Sequence, residues 1–313
     1  MSKITIVGAG MAGLLAANML RQKVDYIIDR SDDIPNNHHA VLRFRSSIVG
    51  DTVGIPFRKV NVLKWVATTG NPVADAMSYS WKTSGVYSLR SISDIMGIPE
   101  ERYIAPNDFI RRMISNIPLD KFQLGQQFDF REDKLADHIY ISTMPMPDLM
   151  EQLDWKGPIP DFVSRSGFSI RFDLENCDAF ASVYVPDHDT DIYRISVTGS
   201  EVIVEFVGQS ADNNCFEKAQ EAVQVLLGID DIDGDFPKGR LAPMRYAKIS
   251  AIDEDVRRTF IMWASTNHQV YSLGRFATWR PRLLLDDVVK DVRVIEHLIN
   301  SRSSVYDHLR RVE

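Results

Sequence analysis

The stretch of sequence that decides the fold begins at the third residue and reads Lys3-Ile4-Thr5-Ile6-Val7-Gly8-Ala9-Gly10-Met11-Ala12-Gly13. Its β-branched start predicts a strand, the apolar run after it predicts a helix, and residues 26–29 predict a second strand. Glycine at position 8 permits a tight turn, glycine at position 10 lets the backbone approach a pyrophosphate, and glycine at position 13 lets the helix pack closely on the strand. The spacing therefore predicts a dinucleotide-binding unit with phosphates at the helix N-terminus.

An acidic residue ends the second strand of this unit. Asp29 follows Gly8 by 21 residues, which is the distance at which a carboxylate accepts hydrogen bonds from the adenosine ribose. A tight turn without a ligand is the alternative interpretation. We expect the adenine half of a dinucleotide to be held by Gly8, Gly10, Met11, Ala12, Gly13, Asp29 and Arg30.

Composition limits the classes of protein that the chain can represent. A chain of 313 residues with 44% apolar residues is long enough for two domains, and a net charge of −7 disfavours nucleic acid as a partner without excluding it. Cys177 and Cys215 lie far apart, which argues against a disulfide framework and predicts no metal site. We see no leader segment and no apolar run near the roughly 20 residues that span a bilayer. We therefore expect a cytoplasmic protein without a membrane partner.

The middle of the chain predicts a second, antiparallel sheet. Short alternating strands at 168–174, 179–185, 191–198 and 201–207 are separated by turn residues, and a helix follows over 213–227. Residues 57–103 predict short helices and loops that cover a site. The fold class is thus α/β: a Rossmann-type domain formed by residues 1–55, 104–150 and 240–313, with an inserted antiparallel substrate domain formed by residues 56–103 and 151–239.

Several further elements are predicted around this insertion. A strand over 136–142 ends in Ser142-Thr143, and the carboxyl end of such a strand would place Thr143 at the nucleotide site. Any buried strand followed by a turn would look similar. Residues 40–45 predict a strand with two arginines on one face, residues 259–264 predict a buried strand, and helices are expected from Asn107 and over 284–299.

A segment near the C-terminal end carries a family resemblance and reads Tyr271-Ser272-Leu273-Gly274-Arg275-Phe276-Ala277-Thr278-Trp279-Arg280. With the N-terminal glycine turn, this segment resembles FAD-dependent enzymes of the glutathione-reductase structural class, and is most similar to UDP-galactopyranose mutases and flavin amine oxidases. The resemblance implies FAD as cofactor, with Gly274 and Arg275 at its pyrophosphate. It also implies that the helix after Leu284 begins near the pyrimidine end of the flavin, where its dipole would stabilise the reduced ring.

Candidate catalytic residues follow less directly from the sequence. His268 and Tyr271 precede the Gly-Arg pair. Arg245, Tyr246 and Lys248 could hold a carboxylate or phosphate. A loop histidine without a function, a core aromatic and a solvated basic strand are the alternatives. Arg43 and Arg45 could hold the FAD phosphates or could be paired on an exposed edge.

Three classes of function are compatible with these residues. The first is an FAD-dependent oxidoreductase that acts on a C–N bond of an amine or amino-acid-like substrate, including an amine carried on a larger molecule such as a modified nucleobase. The second is a non-redox mutase or transferase that acts on a sugar nucleotide. The third is a nucleotide-binding module without catalysis. The expected partner is a small-molecule or nucleotide-linked substrate, and the sequence does not predict an oligomeric state.

Overall fold

The computed structural model describes residues 3–34, 42–67, 70–87, 99–135, 138–174, 176–208, 214–228 and 240–312, with the backbone alone for residues 240 and 302–312. Parts of the predicted segments, namely residues 40–41, 88–98, 136–137 and 229–239, lie outside these ranges. The strands are β1 (Lys3–Val7), β2 (Val24–Ile28), β3 (Arg43–Phe44), β4 (Arg58–Val66), β5 (Glu100–Ile104), β6 (Phe122–Gln123), β7 (His138–Ser142), β8 (Ser164–Asp173), β9 (Ala179–Tyr184), β10 (Ile192–Gly199), β11 (Glu201–Val207), β12 (Arg240–Ile249) and β13 (Val270–Ser272). The helices are α1 (Met11–Leu20), α2 (Ile48–Val53), α3 (Pro72–Ser84), α4 (Phe109–Ser115), α5 (Met146–Gln152), α6 (Cys215–Leu227), α7 (Glu254–His268) and α8 (Leu285–Val312).

A five-stranded parallel sheet forms the first layer, in the order β13-β7-β1-β2-β6. Its central strands β1 and β7 are buried along almost their whole length, which is typical of parallel strands that are covered on both faces. Helices α1 and α8 pack on one face of this sheet, with Leu14, Leu15 and Val289 fully buried there. The predicted βαβ unit and the α/β fold class are confirmed.

An eight-stranded mixed sheet forms the second layer, in the order β12-β8-β11-β10-β9-β4-β5-β3. The four strands predicted between residues 168 and 207 are confirmed, and the pairings β8–β11, β11–β10 and β10–β9 are antiparallel. Helix α6 packs on one face of β8–β11 through Cys215, Ala219 and Val223. The predicted helix over 213–227 thus has its apolar stripe against the sheet.

The prediction of only short helices and loops over 57–103 is wrong for its first part. Residues 58–66 form a nine-residue strand, with Val60 and Val62 buried and Lys59 and Asn61 exposed. This alternation is the period-2 signal of a half-buried strand. Both β3 and β12 also pair within the second sheet, so residues 43–44 and 240–249 belong to it; the division of the chain into domains otherwise stays a prediction.

The buried strand predicted over 259–264 is a helix. Helix α7 spans Glu254–His268, and the Asp253 carboxylate caps it by accepting the Val256 N–H at 2.9 Å. Phe260 and Ala264 are fully buried, whereas Met262 is 68% exposed. A short apolar run does not separate a strand from a helix, and the i, i+4 burial shows the helical period.

The last helix is longer than predicted. It runs from Leu285 to Val312, so Arg302 lies within it rather than beyond its end. No glycine or proline occurs after residue 284 to stop it. Helix α4 begins at Phe109, two residues after the predicted start. None of the described helices is both long and apolar enough to cross a membrane.

Candidate functional site

The glycine turn between β1 and α1 is fixed by its neighbours. Gly8 adopts φ +104°, and its N–H donates to Ile28 O at 2.7 Å. A Cβ on Gly8 would lie 1.9 Å from Thr143 Oγ1, and a Cβ on Gly13 would lie 1.9 Å from Gly8 O. Only glycine fits at these two positions, in keeping with the roles that the spacing assigns to them.

Gly10 differs from the other two glycines because it faces open space. No heavy atom lies within 4 Å of the position that its Cβ would take. Gly10 is the N-cap of α1, and no side chain caps this helix end. The first N–H groups of α1, which begin at Met11, are therefore free to bind an anion, which the helix dipole also favours. The turn fits a pyrophosphate.

A polar cleft of about 580 Å³ opens beside this turn, at the carboxyl ends of β1, β2 and β7. Asp29 lies at its edge: Oδ2 accepts the Ala9 N–H at 2.6 Å and Oδ1 accepts the Ser31 N–H at 2.9 Å. Each carboxylate oxygen keeps a lone pair for a ribose hydroxyl. The predicted residues that line the cleft are Gly8, Asp29, Arg30, Thr143 and Arg245.

Gly274 and Arg275 bring the distant C-terminal motif to the start of α1. Gly274 has φ +91°, and a Cβ there would lie 2.9 Å from the Cβ of Ala12. The Nε of Arg275 is buried without a hydrogen-bond partner among the described residues. Burial lowers the pKa of this guanidinium. A buried cation without an acceptor is costly, so this position also fits the anionic phosphates that the resemblance implies.

The N-terminus of α8 carries its own carboxylates. Asp287 Oδ2 accepts the Leu284 N–H at 3.1 Å, and Asp286 Oδ1 accepts the Ser46 N–H at 2.9 Å. Arg45 pairs with Asp287 at 3.5 Å. Arg45 is thus a paired, exposed arginine at this helix end, and its role at a cofactor phosphate stays a prediction.

The second sheet has a polar face that is nevertheless buried. Alternation along β10 and β11 directs Ile195 and Val204 towards α6 and leaves Arg194 and Glu205 on the opposite face. Glu205 is 2% exposed there, and the neighbouring Ser196 is fully buried. Buried charged groups on a sheet face require partners, which makes this face the second part of the candidate site.

A β-bulge builds the centre of this polar face. Ile192 pairs with Phe206 and Arg194 pairs with Glu205, so Tyr193 is an extra residue on β10. The Tyr193 hydroxyl donates to Glu205 Oε1 at 2.8 Å, and Arg194 donates from Nη2 to the same oxygen at 2.8 Å and from Nε to Oε2. Burial is the largest single effect and opposes ionisation of Glu205, but the charge and hydrogen bonds of Arg194, the Lys248 charge and the Tyr193 hydrogen bond together lower the pKa of this carboxyl.

Arg43 and Lys248 extend the polar face. Arg43 donates to Ser182 Oγ and to Ala181 O, each at 2.8 Å, so it is held by the second sheet rather than by a phosphate at the glycine turn. Burial, and then the nearby Arg194, lower the pKa of Arg43 to about 10. Burial, followed again by Arg194, lowers the pKa of Lys248 to about 7. The polar face is therefore rich in cations.

Two predicted catalytic residues lie elsewhere. His268 ends α7, and its ring centroid is 4.5 Å from that of Trp263. It precedes β13 and lies at the amino edge of the parallel sheet, whereas Gly8 and Thr143 follow the carboxyl ends. Tyr271 is 5% exposed and packs in the core with α1 and α8. The structure supports a packing role for Tyr271 and places His268 away from the cleft.

Arg245 reaches the site, but at the cleft rather than at the polar face. Its Nη1 lies 3.2 Å from Asp148 Oδ2, and its guanidinium lies 5.0 Å from the Tyr246 ring centroid. A register shift in β12 between Met244 and Lys248 turns the intervening residues away from the polar face. Arg245 therefore borders the cleft beside the glycine turn, and Lys248 lies on the polar face.

The sequence reasoning missed Tyr79, Tyr193, Arg194 and Glu205. The available signal was a single charged residue inside each of two apolar strands, Arg194 in β10 and Glu205 in β11. A charge at such a position is expensive unless it is paired. In the ranges that the structure describes, no group of three or more His, Cys, Asp or Glu side chains is arranged to hold a metal ion.

Comparisons with known proteins give likeness in structure alone. No family model matches the chain, and no curated protein matches it in sequence. Reduced UDP-galactopyranose mutase superposes with a TM-score of 0.70 at 14% identity, covering 96% of both chains. CtdE in complex with FAD and a substrate gives a TM-score of 0.51 at 13% identity, covering 99% of this chain and 88% of CtdE.

A protein of Pyrococcus furiosus gives a TM-score of 0.50 at 12% identity and covers 95% of this chain and 97% of its own. At such identities the likeness concerns the fold and leaves activity open. The pairing of a parallel sheet with a curled mixed sheet over nearly the whole chain is shared. The chain has the fold of UDP-galactopyranose mutase.

Proposed function

We propose that this chain is an FAD-dependent enzyme, with the ADP half of the cofactor at the glycine turn and the flavin towards the polar face of the second sheet. The observation that carries the proposal is the uncapped N-terminus of α1 beside Gly10. Gly274 packs against Ala12 in the first turn of this helix, and the half-buried Arg275 that follows has an Nε without a partner among the described residues. Two distant segments of the chain thus meet where a helix N-terminus can bind an anion. The FAD that CtdE holds in a similar fold is consistent with this proposal.

The reaction that we propose is oxidation of a C–N bond in an amine or amino-acid-like substrate. When bound, FAD would supply the two-electron acceptor for the hydride that leaves the carbon next to nitrogen. The chain itself would orient the substrate: Arg194 is fixed by Glu205 and Tyr193, so its guanidinium is preorganised.

A mutase acting on a sugar nucleotide is the second candidate. The cation-rich polar face favours a mutase. Glu205 is the carboxylate that acts most strongly on each of the three arginines of this region, Arg43, Arg194 and Arg275, so positive charge is in excess. A diphosphate would balance such charges. The mutase fold of the first structural neighbour is compatible with either reaction.

The test is flavin content followed by turnover. We expect the purified protein to be yellow and to release FAD on denaturation. Oxygen consumption and peroxide release with an amine would support the oxidoreductase, whereas conversion that needs reduced flavin and consumes no net reductant would support the mutase. A protein that takes up FAD and turns over neither class would indicate a nucleotide-binding module. A protein that cannot take up FAD would overturn the proposal.

A further inference from the structure

Lys248 lies on the polar face without a partner of opposite charge. Its Nζ is 4.7 Å from the ring centroid of Tyr193. Among the described residues, no hydrogen bond or ion pair reaches this Nζ, although Lys82, another cation with a lowered pKa, donates to three backbone carbonyls. Lys248 is half-buried, and a partly desolvated cation normally has an acceptor. The contact with the aromatic ring alone is a weak substitute.

The charges around Lys248 come from four elements. Arg194 approaches from β10, Glu205 from β11, Arg275 from the turn after β13 and Arg282 from the turn before α8. Glu205 is engaged by Arg194 and by the Tyr193 hydroxyl. Arg165, the register partner of Lys248 on β8, is exposed. Repulsion from the guanidinium groups therefore adds to burial in disfavouring the ammonium form.

Other donors on the same side of the sheet also have no acceptor. The Tyr79 hydroxyl and the Arg43 Nε are buried without a hydrogen-bond partner in the described part of the chain. Both side chains interact electrostatically with Arg194 and Glu205. Unsatisfied buried donors around a cation-rich centre indicate an absent acceptor with negative charge. This observation is independent of the titration of Lys248.

We propose that Lys248, together with Arg194, binds an oxyanion group of the substrate, a carboxylate or a phosphate, and takes up a proton when that group binds. The proton moves from solvent to the Lys248 amine, and no covalent bond changes. Since the anion is assigned to the substrate, the inference rests on the proposed function. Affinity for the substrate should therefore fall as the pH rises, because the Lys248 amine must be protonated before it can hold the anion.

The experiment uses the FAD-loaded protein, in which the glycine turn is filled. Sulfate represents a phosphate and acetate represents a carboxylate, and neither changes its charge between about pH 6 and pH 8. Calorimetric titration in two buffers of different protonation enthalpy gives the dissociation constant and the number of protons taken up. With a free pKa of about 7, we expect binding about tenfold weaker at pH 8 than at pH 6 and uptake of close to one proton at pH 8. The anion that shows the larger effect identifies the group.

Three variants make the assignment specific. Lys248→Met and Lys248→Arg should both abolish proton uptake, the first because the amine is gone and the second because a guanidinium stays charged. Lys290→Met, at an exposed position on α8, should behave like the wild type. Since the arginine variant keeps the charge, it provides the measurement if the methionine variant does not fold.

The outcomes that overturn the inference are separate from a failure of the proposed function. Absence of binding by either anion, absence of proton uptake in the wild type, or uptake that persists in either Lys248 variant would each overturn it. If the protein does not take up FAD, the same titration is done in a Gly10→Val background, which blocks anion binding at the turn. Proton uptake that then still depends on Lys248 would uphold the anion site while the FAD proposal fails.

Discussion

The Tyr193 hydroxyl donates to Glu205 Oε1 at 2.8 Å, from a residue that has no opposite partner in the β10–β11 ladder. Without the bulge, Tyr193 and Arg194 would point to opposite faces of the sheet. With it, both side chains converge on one carboxylate. The extra residue thus fixes the guanidinium of Arg194 on the polar face, which is the preorganisation that a substrate-binding cation needs.

Breaking the Arg194–Glu205 pair should destabilise the fold strongly. Glu205→Gln keeps the shape of the side chain but leaves the buried Arg194 charge without its partner. We expect the free energy of unfolding to fall by about 3–5 kcal/mol. Denaturant unfolding measures this loss, and the Glu205→Gln/Arg194→Met double variant should recover much of it.

The matched control is an exposed ion pair of similar geometry. Arg58 and Asp178 also form two hydrogen bonds, but both side chains are 60% exposed. Asp178→Asn should leave the denaturant midpoint almost unchanged, because an exposed ion pair contributes little to stability. Equal losses in Glu205→Gln and Asp178→Asn would contradict the buried arrangement described here.

Lys248 should make stability rise with pH in the absence of an anion. Its pKa is about 7 in the folded chain and near its ordinary value when unfolded, so between these values the unfolded state binds the extra proton. Raising the pH through this window therefore favours the folded state, by up to about 1.4 kcal/mol per pH unit. The gain should be absent in Lys248→Met. Urea unfolding of both proteins at three pH values measures the difference, and parallel curves would refute it.

His268 should be dispensable for cofactor binding. It lies at the amino edge of the parallel sheet against Trp263, so His268→Ala should change FAD affinity by no more than about twofold. Tyr271→Ala, in contrast, should cost about 3–5 kcal/mol of unfolding free energy because it empties a buried aromatic site. Flavin fluorescence titration and thermal unfolding distinguish the two. Loss of FAD in a well-folded His268→Ala protein would show that this histidine is needed for cofactor binding.

Arg275 should contribute directly to FAD retention. Replacing it with methionine removes a half-buried cation that directly follows the contact between Gly274 and α1, and we expect FAD to bind about ten- to a hundredfold more weakly, as for a lost charge-assisted hydrogen bond. Arg111→Met, at an exposed position on α4, is the control. If Arg275→Met binds FAD as tightly as this control, Arg275 serves another anion on the polar face.

The sequence was most informative where one physical constraint acts on each residue. Gly8 and Gly13 are the only residues that fit their contacts, and the strands at 179–184 and 192–199 follow a simple alternation. These features predicted the nucleotide unit and the core of the second sheet correctly.

The polar face was not predictable in the same way, because it depends on irregularities. A one-residue bulge at Tyr193 and a register shift between Met244 and Lys248 decide which side chains reach it, and neither leaves a periodic signal. The prediction of a strand over residues 259–264 was wrong for a related reason, because the apolar residues of this segment permit both a strand and a helix. Tertiary burial of Phe260 and Ala264 decides between them.

The central claim is that FAD lies on the glycine turn, and Gly10→Val tests it most directly. The Cβ at position 10 meets nothing within 4 Å, so the variant should fold with wild-type thermal stability while its side chain occupies the space of the pyrophosphate. Gly13→Ala is the matched control, since its Cβ would lie 1.9 Å from Gly8 O and should destabilise the fold itself. Flavin content per folded protein is the measurement. We expect close to one FAD per wild-type chain and almost none in folded Gly10→Val; equal flavin in both proteins would mean that FAD does not lie on the glycine turn.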